Sequence, residues 1–161
     1  MLKFSLISAI FHSHFLTFSL TSVSPICHVH FKLVFALMQL WDVNNAKLVR
    51  RMRTHQSRVD SLAWSPKTGL LSSGDQQGFI HHYDPRMAQF HLASVRAHQM
   101  DVCGLQWSPN GRFLASGGND NVVKIWETYN KSSWNSPAHT IKHHTAAVKV
   151  SGTDCTAMYQ S

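Results

Sequence analysis

The 161-residue chain is basic, with 15 Lys and Arg against 8 Asp and Glu and a formal net charge of +7. Its length suffices for one ordinary domain. Apart from Arg50-Arg51-Met52-Arg53 the basic residues are scattered, so the sequence lacks the clustered basic face with interleaved aromatics that typifies nucleic-acid binding. Its three cysteines show no recurring spacing, which argues against a disulfide framework and favours a reducing compartment.

Residues 1–38 differ in composition from the rest of the chain. They hold six of the nine phenylalanines and four histidines but no acid, and Ser or Thr interrupts each apolar run. A membrane-spanning helix needs about 20 mostly apolar residues, and residues 4–23 approach that length, but their Ser, Thr and His content weakens the interpretation. We therefore expect neither export nor membrane insertion, and we treat 1–38 as an atypical apolar, His-rich segment, for which translated non-coding sequence is the competing explanation.

Two groups in this segment, His12/His14 and Cys27-His28/His30, contain residue types that bind metals. Zinc sites usually combine two ligand pairs at characteristic spacing with polar turns between them. These groups lie in loosely patterned apolar sequence instead, so we predict no metal site and no other cofactor.

A repeated strand pattern begins at Gln39. Residues 55–84 and 98–127 are identical at 10 of 30 positions when aligned with a shift of 43 and no gap. Each copy runs from a His through an apolar strand to Trp-Ser-Pro, where proline ends the strand because it cannot donate to a ladder. A glycine-containing turn and an aromatic edge residue follow. A period near 40 to 45 is typical of WD-repeat proteins, whose propeller blades have four strands each.

The segments beside the two copies predict outer strands at 47–53, 90–95 and 139–142. His144 to Val150 begins a third copy, but Ser151 and Thr153 stand where the copy requires Leu and Trp. The predicted fold is therefore all-β, an incomplete WD-repeat β-propeller of about two and a half four-stranded blades over 39–150. The non-propeller segment 1–38 precedes it, and a divergent tail, 151–161, follows. Because propellers need about four to eight blades to close, we expect a fragment of a longer protein.

In WD-repeat proteins the His, Ser, Asp and Trp of a blade commonly form a buried hydrogen-bond chain that rigidifies the small sheet. The resemblance implies these roles for His98, Ser116, Asp120 and Trp126. The matching residues of the upstream copy are His55, Ser73 and Tyr83. Gln77 stands there in place of the Asp, so we expect an incomplete or rearranged network in that copy.

The same Ser, His and Asp types also occur in hydrolase triads. A triad needs an exposed nucleophile, a base, an orienting acid and an oxyanion hole. Here the residues recur with the repeat beside strand-forming runs, and nothing in the sequence supports an oxyanion hole. We predict no catalytic residues and no enzyme activity.

Several stretches resemble one branch of WD-repeat proteins. They include Arg53-Thr-His55-Gln-Ser-Arg58-Val59, Ile80-His81-His82-Tyr83-Asp84 and Ala115-Ser-Gly-Gly-Asn-Asp-Asn121. These are similar to the Fizzy family, the cell-division-cycle activators of the anaphase-promoting complex, a ubiquitin ligase. The resemblance implies a substrate-recognition adaptor in the nucleus or cytoplasm. Its implied partners are subunits of that complex and substrates that carry degrons. A generic WD-repeat scaffold is the alternative.

In that family, polar residues on the top face of the propeller hold the Lys-Glu-Asn degron. The resemblance implies that Asn119 and Asn121 contribute to degron binding, because side-chain amides both donate and accept hydrogen bonds. The alternative is that the two asparagines only support a tight turn. The ligase-docking motif and the Ile-Arg tail of the family do not occur in this sequence.

Overall fold

A computed structural model describes the backbone of six ranges: 10–12, 15–20, 29–34, 36–42, 46–128 and 134–150. The predicted tail 151–161 lies outside these ranges, as do His14, Cys27 and His28. The described residues form thirteen strands, and nine pairs of neighbouring strands run antiparallel. The all-β fold is confirmed. Within the described ranges, the chain has no helix of the length and apolar character that a membrane crossing requires.

The first sheet has five strands in the order β1-β2-β3-β4-β5. Their bounds are Ile10–His12, Phe15–Leu20, Val29–Val34, Leu37–Asp42 and Lys47–Met52. The sequence pattern predicted β4 and β5 but not β1 to β3. These three strands alternate aromatic or β-branched residues with Ser, Thr and His, a composition that suits a pleated sheet without repeating the later blades.

The second sheet has the order β6-β7-β8-β9. Its strands span Val59–Trp64, Leu71–Asp75, Phe79–Tyr83 and His91–Arg96. The third sheet has the order β10-β11-β12-β13. Its strands span Val102–Trp107, Phe113–Gly118, Val123–Glu127 and His139–Ile141. Each is an up-and-down sheet of four strands, which confirms the predicted blade architecture of an incomplete propeller.

The central hairpins of the two four-stranded sheets repeat the same strand register. In the second sheet Leu71 pairs with Tyr83 and Gly74 with Ile80. In the third sheet the residues 43 positions later pair in the same way, Leu114 with Trp126 and Gly117 with Val123. A slip of one residue would turn every side chain to the other face of a sheet, so the shared register places equivalent side chains on equivalent faces.

The chain divides into two compact units, Met1–Val59 and Asp60–Ser161. The first sheet lies in the first unit. The second and third sheets lie in the second unit and pack against each other through one apolar core. That core comprises Ile80, Ala97, Val102, Leu105, Trp107, Leu114 and Trp126. The Ser61 hydroxyl also donates to the Val102 carbonyl at 2.9 Å, which joins the first strands of the two sheets.

Residues 144–150, all within the described part of the chain, form no strand. The sequence predicted the start of a third copy here. Instead, the Val148 N–H donates to the Gly118 carbonyl at 3.1 Å. Val148 and Val150 pack against the second apolar cluster of the third sheet, which contains Ala115, Val123 and Ile125. The apolar residues of this segment are therefore accommodated by packing on β11 and β12, without a strand ladder.

Candidate functional site

The turn between β11 and β12 presents both candidate asparagines. Asn121 has φ of 62°, in the left-handed region that asparagine tolerates better than most residues. Its N–H donates to the Gly118 carbonyl at 3.3 Å, and the Gly118 N–H donates to the Val122 carbonyl at 3.1 Å. These two bonds close a tight turn from 118 to 122 that holds the Asn119 and Asn121 backbones.

The Asp120 carboxylate ties this turn to the loop before β10. It accepts the Gln99 N–H at 3.0 Å and the Val122 N–H at 3.2 Å. Its two oxygens also lie 2.9 and 3.2 Å from His98 Nδ1. A further bond runs from the Asn119 N–H to the Asp101 carbonyl at 2.9 Å. Because both carboxylate oxygens accept N–H groups, Asp120 is suited to anchoring the turn rather than to binding a metal.

A buried chain of hydrogen bonds continues from His98 into the sheet. Trp126 Nε1–H donates to Ser116 Oγ at 2.9 Å, and Ser116 Oγ lies 2.8 Å from His98 Nε2. The side chains of Ser116, His98 and Trp126 are buried. The indole can only donate and the carboxylate can only accept, so Ser116 donates to Nε2 and the His98 proton is on Nδ1. The bonds thus run in one direction from Trp126 to Asp120.

The pKa values of His98 and Asp120 agree with a neutral imidazole beside a carboxylate. Burial lowers the pKa of His98, although the hydrogen bond and charge of Asp120 act in the opposite direction. Burial acts to raise the pKa of Asp120, but hydrogen bonds from the Gln99 N–H, His98 and the Val122 N–H bring it below its usual value. If the His98 imidazole were protonated, its Nε2 would also carry a proton. The hydrogen bond with Ser116 would then have to run from Nε2–H to Ser116 Oγ.

The upstream copy closes its turn differently. Ser73 Oγ lies 3.3 Å from the Tyr83 hydroxyl, and Gln77, which replaces the Asp, is exposed. Asp75 accepts the N–H groups of Gln77 and Phe79 at 3.0 and 2.9 Å. The sequence comparison did not single out Asp75, because it lies two positions before the residue aligned with Asp120. The third predicted residue of this copy, His55, is buried in the first unit.

Gly118 explains why the two turns differ. A Cβ atom at Gly118 would overlap Asp120 Oδ1 and His98 Nδ1. The aligned position of the second sheet is Asp75, whose own side chain caps the turn. The absence of a side chain at residue 118 therefore leaves the space in which the His98–Asp120 pair forms.

Another buried histidine, His82, lies on β8, and the sequence pattern indicated no role for it. His82 Nδ1 is 2.8 Å from the Ser72 hydroxyl, and its ring centroid is 4.6 Å from the ring centroid of Trp134. Burial, together with the charge of His91, lowers the pKa of His82 from 6.5 to about 4. The neutral ring therefore serves as a packing surface for Trp134, which the sequence pattern did not single out.

Both candidate asparagines are accessible to solvent. Asn119 is exposed and Asn121 is partly exposed. Neither amide makes a hydrogen bond to another residue within the described part of the chain. Each can therefore donate to and accept from an external polar group without breaking an internal bond, while the backbone beneath is fixed by Asp120.

Comparisons with known proteins show which proteins these sheets resemble. The model for the WD domain, G-beta repeat, matches residues 46–84 and 90–127. The chain is 46% identical over 112 residues to the anaphase-promoting complex subunit cdc20 of Dictyostelium discoideum, covering 70% of this chain and 22% of that protein. It is 42% identical over 125 residues to cell division cycle 20.1, cofactor of APC complex, of Arabidopsis thaliana, covering 76% of this chain and 27% of the relative.

A chain in the crystal structure of a mitotic checkpoint complex has a TM-score of 0.69 and 34% sequence identity, covering 85% of this chain and 40% of that chain. This chain spans about a quarter of the length of the two curated relatives. The chain carries WD repeats and is a partial match to the Fizzy family of WD-repeat proteins.

Proposed function

We propose that this chain is part of a substrate-recognition adaptor that activates the anaphase-promoting complex, a ubiquitin ligase, in cell-cycle control. The names of its relatives, a subunit and a cofactor of that complex, support this function. The structural observation that carries it is the turn whose two solvent-accessible asparagines rest on the Asp120 anchor. The proposed role is non-catalytic and is performed in the nucleus or cytoplasm.

The turn is suited to reading a polar peptide such as the Lys-Glu-Asn degron. Asn119 and Asn121 both carry amide N–H and C=O groups, so they can bond both to a peptide backbone and to an acidic or amide side chain. Because the backbone of the turn is already fixed, binding requires little further ordering, and less of the binding free energy is lost to conformational entropy. The proposed partners are subunits of the complex and degron-bearing substrates.

Two substitutions separate recognition from turn support. Asn121→Gly keeps the positive φ, since glycine adopts it freely, but removes the amide. Asn119→Ala removes the exposed amide without affecting the Asn119 N–H bond to Asp101. We expect each change to weaken binding of a fluorescent Lys-Glu-Asn peptide to the full chain by about tenfold, the effect of one lost hydrogen bond. Fluorescence anisotropy measures the affinity, with an Ala-Ala-Ala peptide as the control ligand.

The expected thermal stability of both variants is close to that of the wild type. Unchanged peptide affinity in both variants would restrict the asparagines to turn support and favour the generic WD-repeat scaffold. Loss of affinity in Asn121→Ala with retention in Asn121→Gly would point to the same conclusion, because alanine disfavours the positive φ that glycine accepts.

A further inference from the structure

Four of the five prolines follow a serine, at Ser24, Ser65, Ser108 and Ser136. Ser-Pro is the dipeptide on which proline-directed protein kinases act. Ser24 lies outside the described residues. The other three have the same local sequence chemistry, so their structural settings decide which hydroxyl a kinase can reach.

Ser65 and Ser108 have structural roles. Ser65 is completely buried, and its hydroxyl bonds to the Thr68 hydroxyl at 2.7 Å. Ser108 is 3% exposed, donates to Asn110 Oδ1 at 2.7 Å and accepts the Phe113 N–H at 2.9 Å. Both hydroxyls hold the turn that follows the first strand of a sheet, so a kinase could reach them only after local unfolding.

Ser136 has the opposite setting. It is exposed in the loop between β12 and β13, and its hydroxyl makes no hydrogen bond to any residue in the described ranges. The preceding Trp134 is 3% exposed and packs on His82, and the Ala138 N–H donates to the Ile125 carbonyl at 2.8 Å. The loop is therefore attached on both sides of Ser136 while the serine itself faces solvent. Pro137 also biases Ser136 towards extended backbone.

We propose that Ser136 is a phosphorylation site for a proline-directed protein kinase. The Ser136 oxygen attacks the γ-phosphorus of Mg-ATP, a new O–P bond forms, and the bond to the β-phosphate oxygen breaks to release ADP. The hydroxyl proton passes to the catalytic carboxylate of the kinase. The product carries about −1.5 to −2 charge at neutral pH in place of a neutral hydroxyl.

The site lies at the end of the third sheet opposite the Asn119 and Asn121 turn. That turn precedes Val123, the first residue of β12, whereas the loop with Ser136 follows Glu127, its last residue. The two ends of this five-residue strand are separated by roughly 15 Å. Phosphorylation therefore changes the charge of a separate surface. This proposal is independent of the proposed peptide recognition.

The test compares the native full chain with three synthetic peptides that contain Ser65, Ser108 or Ser136. Each is incubated with the same proline-directed kinase and Mg-ATP, and mass spectrometry gives the rate at every serine. We expect Ser136 to react in the chain within about threefold of its peptide rate, and Ser65 and Ser108 to react at least about 100-fold more slowly than theirs. Ser136→Ala removes the mapped phosphate.

Pro137→Ala is the matched control, because it retains the Ser136 hydroxyl and its exposure but releases the backbone restriction. We expect it to slow phosphorylation at Ser136 by at least about tenfold. Equal slowing of all three serines in the native chain, no reaction of the Ser136 peptide, or an unchanged rate in Pro137→Ala would each overturn the proposal.

Discussion

The central hairpins of the second and third sheets pair in the same register, but the carboxylates that support their turns have different positions and partners. In the second sheet Asp75 caps its own turn through the N–H groups of Gln77 and Phe79. In the third sheet Gly118 takes the aligned position, and Asp120 bonds to the loop residues His98 and Gln99. The difference shows that a glycine at residue 118 leaves the space in which the Asp120 carboxylate reaches His98.

This difference has a consequence for recognition. The third-sheet turn is held from below by Asp120, so its asparagine amides are available to an external ligand. The second-sheet turn exposes Gln76 and Gln77, but its carboxylate is buried beneath them and bonds within the turn. The turns of the two repeated sheets thus expose different amide side chains, Gln76 and Gln77 in one and Asn119 and Asn121 in the other.

We expect removal of the Trp126 ring to reduce the stability of the third sheet more than the other substitutions. Trp126→Ala deletes a side chain that is 2% exposed and the donor to Ser116. We expect the free energy of unfolding to fall by about 3–5 kcal/mol, as for other large-to-small core substitutions. Urea denaturation followed by circular dichroism measures it. Trp126→Phe keeps most of the packing and should lose only about 1 kcal/mol; equal losses in both variants would contradict this account.

Acidification tests the buried histidines of both sheets. Burial lowers the pKa of His82 to about 4 and also lowers that of His98. Protonation therefore favours the unfolded chain, so their contribution is complete above pH 6.5 and decreases as the pH falls towards 4. His82 alone accounts for about 3 kcal/mol over this range.

Urea denaturation at pH 7 and at pH 4.5 measures the change in stability. In His82→Gln, which has no imidazole at this position, the decrease between the two pH values should be smaller than in the wild type. An identical decrease in both proteins would show that His82 titrates normally in the folded chain.

Gly118→Ala tests whether the missing side chain at residue 118 explains the difference between the two turns. The added Cβ must displace His98 or Asp120, so we expect a loss of about 1–3 kcal/mol, as for other overpacked sites. The side-chain nitrogen resonances of His98 should also change, because the Nδ1–H donor loses its alignment with Asp120. Unaltered stability together with unaltered His98 resonances would show that the site has more space than the structure indicates.

Gln77→Asp gives the smallest expected effect. It introduces the residue type of Asp120 at the aligned position of the second sheet, where Asp75 already accepts the Gln77 and Phe79 N–H groups. Because residue 77 is exposed, we expect the unfolding free energy to change by less than about 0.5 kcal/mol. A large stabilisation, measured by thermal denaturation, would show that the Asp alone determines the arrangement and that Gly118 does not.

The blade architecture was predictable because it follows from a periodic signal. The His, Trp-Ser-Pro and aromatic landmarks recur at a constant shift, and strand register preserves that shift. The role of Asp75 was not predictable in this way. Asp75 caps its turn at a position where the two copies differ, since the aligned residue of the third sheet is Gly118, which has no side chain. Trp134 was also missed, since its burial against His82 depends on the packing of two sheets and leaves no trace in the polar loop around it.

The strands β1 to β3 were also not predictable from the sequence pattern. Their residues are compatible with a sheet but share no landmark with the repeats, so composition alone did not distinguish them from unstructured sequence. The candidate recognition role of Asn119 and Asn121 came from family resemblance, because a tight turn and a peptide-binding turn use the same residue types. It remains a prediction until peptide affinity is measured.

The hairpins 71–83 and 114–126 have equal length and equivalent strand pairing. A chimaera in which the second replaced the first would keep each side chain on its original face and would carry Gly118 and Asp120 together into the new context. We expect such a chimaera to keep the strand pairing of the second sheet, so that a different turn is introduced without changing the neighbouring strands, although His98 and Gln99, the partners of Asp120, lie outside the exchanged hairpin.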